Sequence, residues 1–178
     1  MTKQELEWCI SEYGKDIYSF CKYLTRNLSE ADDLYQDTFL IAVEIMEKID
    51  CEHNPKSYLL SIALRTWKNK QRKFAWRNRI AEVRSFAEEK EADKGTTSEP
   101  TPEEFILCKE KEELVRQAVA KLSDKLKPVV LLFYMEGLQV SQIAIIMKLP
   151  EGTVLSRLHQ ARKVLRKKLE DVFDGTGI

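Results

Sequence analysis

Histidine is nearly missing from this chain, and metal-ligand spacing is missing altogether. His53 and His159 are the only two histidines, and the four cysteines, Cys9, Cys21, Cys51 and Cys108, contain no Cys-x-x-Cys pair. A zinc site needs tight local spacing of such residues. No metal or cofactor is therefore expected, and the cysteines read as reduced thiols in or beside a core. No apolar run approaches the roughly 20 residues that cross a bilayer. The opening residues, "MTKQELEWC", are polar and acidic rather than signal-like. The expectation is a cytoplasmic chain with no membrane contact of its own. Net charge is lacking too, since 29 Lys and Arg balance 29 Asp and Glu. No global field draws the protein to nucleic acid, so any such binding must come from local charge separation. No carboxylate pair or nucleophile constellation stands out, so no enzyme activity is expected.

Glycine and proline are scarce, 6 and 5 of 178 residues, while charged residues make up 33%. With Leu, Ile, Ala, Lys and Glu dominant, the composition predicts an all-α protein. Residues 2–27 carry Trp8, Ile17, Phe20, Cys21 and Leu24 at helical spacing, with Gly14 as an expected break. "SEAD" at 29–32 reads as a helix start capped by Ser29. The helix it opens should reach about Ile49, with Leu34, Phe39, Ala42, Val43 and Met46 inward. Pro55 marks a break before a third helix, expected from about Lys56 to Trp76. Residues 88–104, "EEKEADKGTTSEPTPEE", have the acidic, Ser/Thr/Pro-rich composition of a tether. Helical periodicity then resumes, with Phe105, Ile106, Leu114, Val115 and Ala118 as apolar positions. Ser123 is a candidate cap, Pro128 falls near a first turn, and Gly137 is a stop. Two small helical domains result, 1–80 and 105–178, joined by a linker over 81–104.

The C-terminal domain holds the most informative stretch, "SQIAIIMKLPEGTVLSRLHQARKVLRKK". A short helix opened by Ser141, a tight connector and a longer helix over about Thr153–Asp171 make a helix-turn-helix. In the longer helix Val154, Leu158, Ala161, Leu165 and Leu169 form one apolar stripe. Ser156, His159, Gln160, Lys163 and Lys167 fall on the opposite side. Docked in a major groove, such a face would read base edges with its first turns and hold phosphates with the rest. Thr153 and the first-turn amides offer a further phosphate contact. The competing reading is a helical hairpin with a solvated lysine face. Solvated faces usually mix signs, and no acidic residue occurs between Thr153 and Leu169.

A second basic concentration, "LRTWKNKQRKFAWRNR" at 64–79, interleaves Arg65, Lys68, Lys70, Arg72, Lys73, Arg77 and Arg79 with Trp67, Phe74 and Trp76. Cations alone point to phosphate contact. Aromatics among them add stacking on unpaired bases, worth about 1–3 kcal/mol per base. Trp76, with polar or small neighbours, is the better stacking candidate, and Trp67 reads equally as core.

With these blocks in view, the sequence resembles the extracytoplasmic-function sigma factors of bacterial RNA polymerase. Residues 28–50 resemble the family's polymerase-binding helix through Asp33, Leu34, Tyr35, Gln36 and Asp37. Residues 122–165 resemble its region four through Gly137, Ile143, Ala144, Gly152, Thr153, Val154, Ser156 and Arg157. The resemblance implies a dissociable subunit that binds core RNA polymerase and promoter DNA. Asp33, Gln36, Asp37 and Phe39 would contact the clamp helices of the largest subunit, and region four would meet the flap. Arg65, Lys68, Asn69, Arg72, Lys73 and Trp76 would melt and hold the downstream promoter element. Thr153, Ser156, Arg157, His159, Gln160, Lys163 and Lys167 would read the upstream one. The linker would thread toward the active-site cleft and RNA exit channel. An anti-sigma factor is the further partner implied. Arg65 stands where many members carry Asn, and Leu155 where members often carry Arg or Lys. The alternatives are a stand-alone helix-turn-helix regulator and a helical adaptor that binds protein only.

Overall fold

The computed structural model describes residues 1–48, 54–81 and 113–173, and every regular element among them is helical. The chain divides into two compact units, Met1–Asp93 and Lys94–Ile178.

The first unit is built on three long helices. Helix α1, Lys3–Leu24, begins with a capping box in which Thr2 Oγ1 accepts from the Glu5 amide at 3.2 Å and Glu5 Oε2 accepts from the Thr2 amide at 2.7 Å. Helix α2, Leu28–Glu44, is capped by Asn27, whose Oδ1 accepts from the Glu30 amide at 2.8 Å. The expected Ser29 cap is therefore displaced by two residues. The Asn27 side chain also donates to Glu30 Oε1 at 3.2 Å, a second tie across the first turn. A short 3-10 turn, Met46–Lys48, follows. Helix α3, Pro55–Ala81, begins with proline, where its missing N–H costs nothing. Asn54 before it adopts φ 34° and accepts from the Ser57 amide at 3.2 Å. The helix runs beyond Trp76, one residue into the stretch assigned to the linker.

Ile17, Phe20, Cys21 and Leu24 of α1 meet Ala31, Leu34, Thr38 and Ala42 of α2 and Leu59, Leu60, Ala63, Leu64 and Trp67 of α3 in the core. Thr38 is tolerated there because its hydroxyl donates to the Leu34 carbonyl at 2.6 Å. Two expectations fail in α1. Gly14 is no break: the helix passes straight through it, and a Cβ added there would meet the Tyr35 hydroxyl at 3.0 Å. Glycine serves that close approach rather than a kink. Trp8 is 54% exposed, on the side away from the core. Val43 of α2, expected inside, is also exposed.

In the second unit residues 113–120 are helical. Phe105 and Ile106 lie outside the described residues; Ala118 is buried and Val115 exposed. The Ser123 carbonyl, not its side chain, makes the next turn, accepting from the Leu126 and Lys127 amides at 2.9 Å each. Helix α5, Lys127–Val130, has proline in its first turn and continues as a wide π turn, Leu131–Met135 (113–120 being α4). Gly137, with φ 65°, ends it in a conformation that favours glycine.

Helix α6, Val140–Met147, starts one residue before Ser141, with Gln139 as its cap residue, whose amide donates to Gln142 Oε1 at 2.9 Å. It stops at Lys148, a left-handed residue with φ 53°, and the Leu149 amide closes onto the Ala144 carbonyl at 3.0 Å. Helix α7, Glu151–Phe173, follows after Leu149 and Pro150. Val154, Leu158 and Ala161 of α7 are buried, as are Ile143, Ala144 and Met147 of α6. Ala161 packs with Leu122, Leu126 and Val130, flanked by Val119, Val164 and Leu165. The two-helix unit is thus held onto α5 by the stripe the spacing predicts.

Candidate functional site

Three surfaces collect the residues singled out by sequence. On α7, Ser156, His159, Gln160, Lys163 and Lys167 are all exposed, and Thr153 and Arg157 are half-buried beside them. One side of the helix is in the core, and the other is exposed at Ser156, His159, Gln160, Lys163 and Lys167. Its early part carries hydrogen-bonding groups and its later part cations. Ser156 Oγ donates to the Thr153 carbonyl at 3.0 Å. The Thr153 and Val154 amides are taken up by the Pro150 carbonyl, at 2.9 and 3.2 Å. Of the first turn, then, those two donors serve the turn rather than a phosphate. Glu151 also falls within the helix, at its acid-tolerant start. Leu155 projects 55% exposed from the same region.

A flank of α7 that sequence spacing left unassigned is pinned by aromatics. Arg162 Nε donates to the Tyr134 hydroxyl at 2.7 Å, and its guanidinium lies 5.7 Å from the Phe133 ring centre. The π turn places both rings there, and cation–aromatic contacts of this kind fix a helix against its neighbour.

On α3, Arg65, Asn69, Arg72, Trp76 and Arg79 recur at spacings of four, three, four and three, which is one helical face. Arg72 donates to the Asn69 side chain. Every side chain from Arg72 to Arg79 is exposed, with Trp76 at 65% and Phe74 at 53%. Trp67, by contrast, is 3% exposed and belongs to the core. Lys68 and Asn69 are half-buried where α3 leaves the bundle, and Arg65 and Lys73 are exposed. Of the predicted set, Arg72, Lys73 and Trp76 therefore lie on the exposed end of α3, whereas Arg65, Lys68 and Asn69 lie beside the core positions Leu64 and Trp67.

On α2, Asp33 and Gln36 are exposed and Phe39 is half-buried, its ring 4.9 Å from that of Tyr35. Sequence reasoning missed two neighbours. Leu40 is 63% exposed and Val43 49%, and with Asp33, Gln36 and Glu44 they make a mixed apolar and acidic outer face. Leu40 follows Gln36 by four residues and sits off the core stripe, which was the available signal. Asp37 is turned sideways instead, and its Oδ2 pairs with Lys70 Nζ of α3 at 2.8 Å.

Among the described residues no group of His, Cys, Asp and Glu could hold a metal ion, and no helix is long and apolar enough to cross a membrane.

A helix-turn-helix with an acid-free outer face, in one chain with a separate bundle that exposes cations and an indole, is the layout of a protein that handles DNA. Comparison with known proteins makes the class specific. The family Sigma-70 region 2 matches residues 9–77, and Sigma-70 region 4 matches residues 112–165. The ECF RNA polymerase sigma-E factor of Haemophilus influenzae is 30% identical over 175 residues, 96% of this chain and 90% of that protein. The ECF RNA polymerase sigma factor SigW of Bacillus subtilis is 29% identical over 161 residues, 90% of this chain and 86% of that one. Among solved structures, the sigma factor RpoE of Bartonella quintana, in complex with the anti-sigma factor NepR, has a TM-score of 0.72 at 21% identity, covering 94% of this chain and 96% of that one. CnrH, in complex with the cytosolic domain of CnrY, gives a TM-score of 0.65 at 16% identity, covering 96% and 90%. The chain belongs to the extracytoplasmic-function sigma factors, which direct RNA polymerase to promoters.

Proposed function

We propose that the three surfaces divide the work of initiation. The outer face of α2, with Asp33, Gln36, Leu40 and Val43, docks on the clamp helices of the polymerase largest subunit. Its acids suit a basic partner, and its exposed leucine and valine supply apolar area that a free helix leaves in water. Phe39 supports this face from behind through Tyr35.

The α3 face holds the downstream element once its strands part. Separation trades base pairing for stacking on Trp76 and phosphate contacts from Arg65, Arg72 and Lys73, with Lys68 and Asn69 at the base of the projection. The α7 face enters the major groove of the upstream element. Ser156, His159 and Gln160 meet base edges, while Arg157, Lys163, Lys167 and the Thr153 side chain position the backbone. The protein catalyses no reaction itself, works in the cytoplasm, and uses residues 81–104 as the tether between domains 1–80 and 105–178.

The observation that carries this reading is the exposed, acid-free row Arg72–Arg79 with Trp76 outward. A stand-alone repressor needs a duplex reader and has no use for a second, projecting platform of cations and an indole. Run-off transcription with purified core polymerase on genomic fragments tests it: defined starts are expected with the protein present and not without it. A gel shift in which the protein alone binds duplex as tightly as the mixture would overturn it in favour of a stand-alone regulator.

The sigma factor RpoE was solved in complex with the anti-sigma factor NepR. By that likeness the α2 face of this chain is also the target of an anti-sigma factor. Co-purification from the native cell tests this; constitutively free protein would count against it.

A further inference from the structure

Asp37 and Lys70 join the two working helices of the first unit. Asp37 follows Gln36 directly on α2, at the edge of the docking face. Lys70 lies on α3, and with Lys73 and Arg77 it forms a second cationic row, spaced three and four, beside the stripe that carries Trp76. The two side chains meet at 2.8 Å, yet each is still about two-fifths exposed, 43% for Asp37 and 41% for Lys70. A pair this open adds little to stability, typically below about 1 kcal/mol. Its effect is on charge: Lys70 is neutralised while Lys73 and Arg77 face water. Asp37 remains within reach of any cation brought against the α2 face.

We propose that this ion pair is an exchange switch, a reading that rests on α2 being the polymerase-docking face. In the free protein Asp37 holds Lys70. When a basic residue of the polymerase takes Asp37, the Lys70 ammonium is released to a phosphate of the opened strand, extending the row Lys70–Lys73–Arg77 by one cation. Asp37 is thereby a positioning residue, acting on DNA through Lys70. Docking and strand holding are coupled by one shared carboxylate.

The test uses the full chain and a labelled single-stranded oligonucleotide of mixed sequence, with binding followed by anisotropy across salt concentrations. Asp37→Asn keeps the side chain's shape and removes its charge. Without polymerase it is expected to tighten binding by about fivefold, as one solvated charge contact does. It should also steepen the dependence of log K on log salt by about 0.7, the value of one phosphate on a single strand. In a Lys70→Met background the same change should add nothing. An equal gain in both backgrounds would mean that only net charge had changed, and no gain would mean that Lys70 is not held; either result overturns the switch.

A second arm adds core polymerase. The Lys70→Met holoenzyme should show a salt slope shallower by about 0.7 than wild type. Identical slopes would show that docking does not release Lys70. The docking reading fails separately, if Gln36→Ala and Leu40→Ser leave core affinity unchanged. Thermal unfolding of each variant, expected near the wild-type midpoint because so open an ion pair adds little to stability, keeps misfolding apart from the switch.

Discussion

Arg162 and Tyr134 are fastened together across 28 positions of sequence, with the guanidine N–H donating to the phenol oxygen at 2.7 Å. The bond ties the middle of the recognition helix to the π turn that precedes the helix-turn-helix. Tyr134→Phe removes only the acceptor and leaves the ring, so it should cost about 0.5–1 kcal/mol. Arg162→Ala loses the contacts with both rings as well and should cost more, by up to about 1 kcal/mol. Chemical denaturation followed by helical circular dichroism checks the order. If Tyr134→Phe equals or exceeds Arg162→Ala, the rings are not what holds the arginine.

Gly14 and Tyr35 make a second testable pair. Gly→Ala inside a helix gains about 1 kcal/mol in helix preference. Here the new methyl would crowd the Tyr35 hydroxyl, 3.0 Å from its position. Gly14→Ala alone should therefore change stability little. In a Tyr35→Phe background, where the crowding oxygen is gone, it should stabilise by about 0.5–1 kcal/mol. The same small effect in both backgrounds would show that Tyr35 is not the obstacle.

Burial pushes the Cys21 thiol up to about 12 from an ordinary 9.0, with the Lys70 charge pulling it back somewhat. In the unfolded chain the thiol ionises first, so between pH 9.0 and about 12 the unfolded state binds fewer protons than the folded one. Stability from this group is thus complete below pH 9.0 and falls as pH rises, at up to about 1.4 kcal/mol per unit. Tyr18, bonded to Asp32, and Tyr35, partly buried, are shifted in the same direction from 10.0. Denaturation midpoints from pH 8 to about 10.5 should fall more steeply for wild type than for Cys21→Ala. Parallel lines would contradict the burial of the thiol.

The two tryptophans of α3 should separate fold from function. Trp67→Ala opens the core and should cost about 3–5 kcal/mol. Trp76→Ala should leave stability within about 0.5 kcal/mol of wild type, because the indole is largely exposed. It should instead weaken holoenzyme binding to single-stranded promoter DNA by about 1–3 kcal/mol. A destabilised Trp76→Ala protein would argue against an open platform.

On α7, Lys163→Glu together with Lys167→Glu should abolish recognition of the upstream element, since both cations are exposed on a helix that carries no acid between Glu151 and Glu170. Gln160→Ala should instead relax preference at a single base pair, by about 1–3 kcal/mol. Competition gel shifts with point-substituted promoters distinguish the two effects.

Much of this was legible in the residues. The apolar stripe of α7 and the position of the connector follow from spacing alone, because a 3.6-residue period leaves few ways to bury Val154, Leu158 and Ala161 together. The exposure of Trp76 followed from its polar neighbours. What escaped was set by tertiary partners. Gly14 looks like a helix break until Tyr35 is seen beside it. Trp8 and Val43 fit an apolar period yet stay in water, since a three-helix bundle covers only one side of each helix. Asp37 read as part of a docking face because its partner, Lys70, lies 33 positions further along the chain. Leu40 went unnoticed although its spacing from Gln36 was visible, because the apolar period draws attention to the core stripe and away from an apolar residue outside it.

The projecting end of α3 has one more consequence. From Arg72 to Arg79 every side chain is exposed, outside the core of the bundle as described. Substitutions there are free of the usual penalty of disturbed packing, so selection can rewrite this segment while the scaffold stays intact. Divergence in which promoters are opened can therefore proceed without eroding the thermodynamic margin of the domain that carries it.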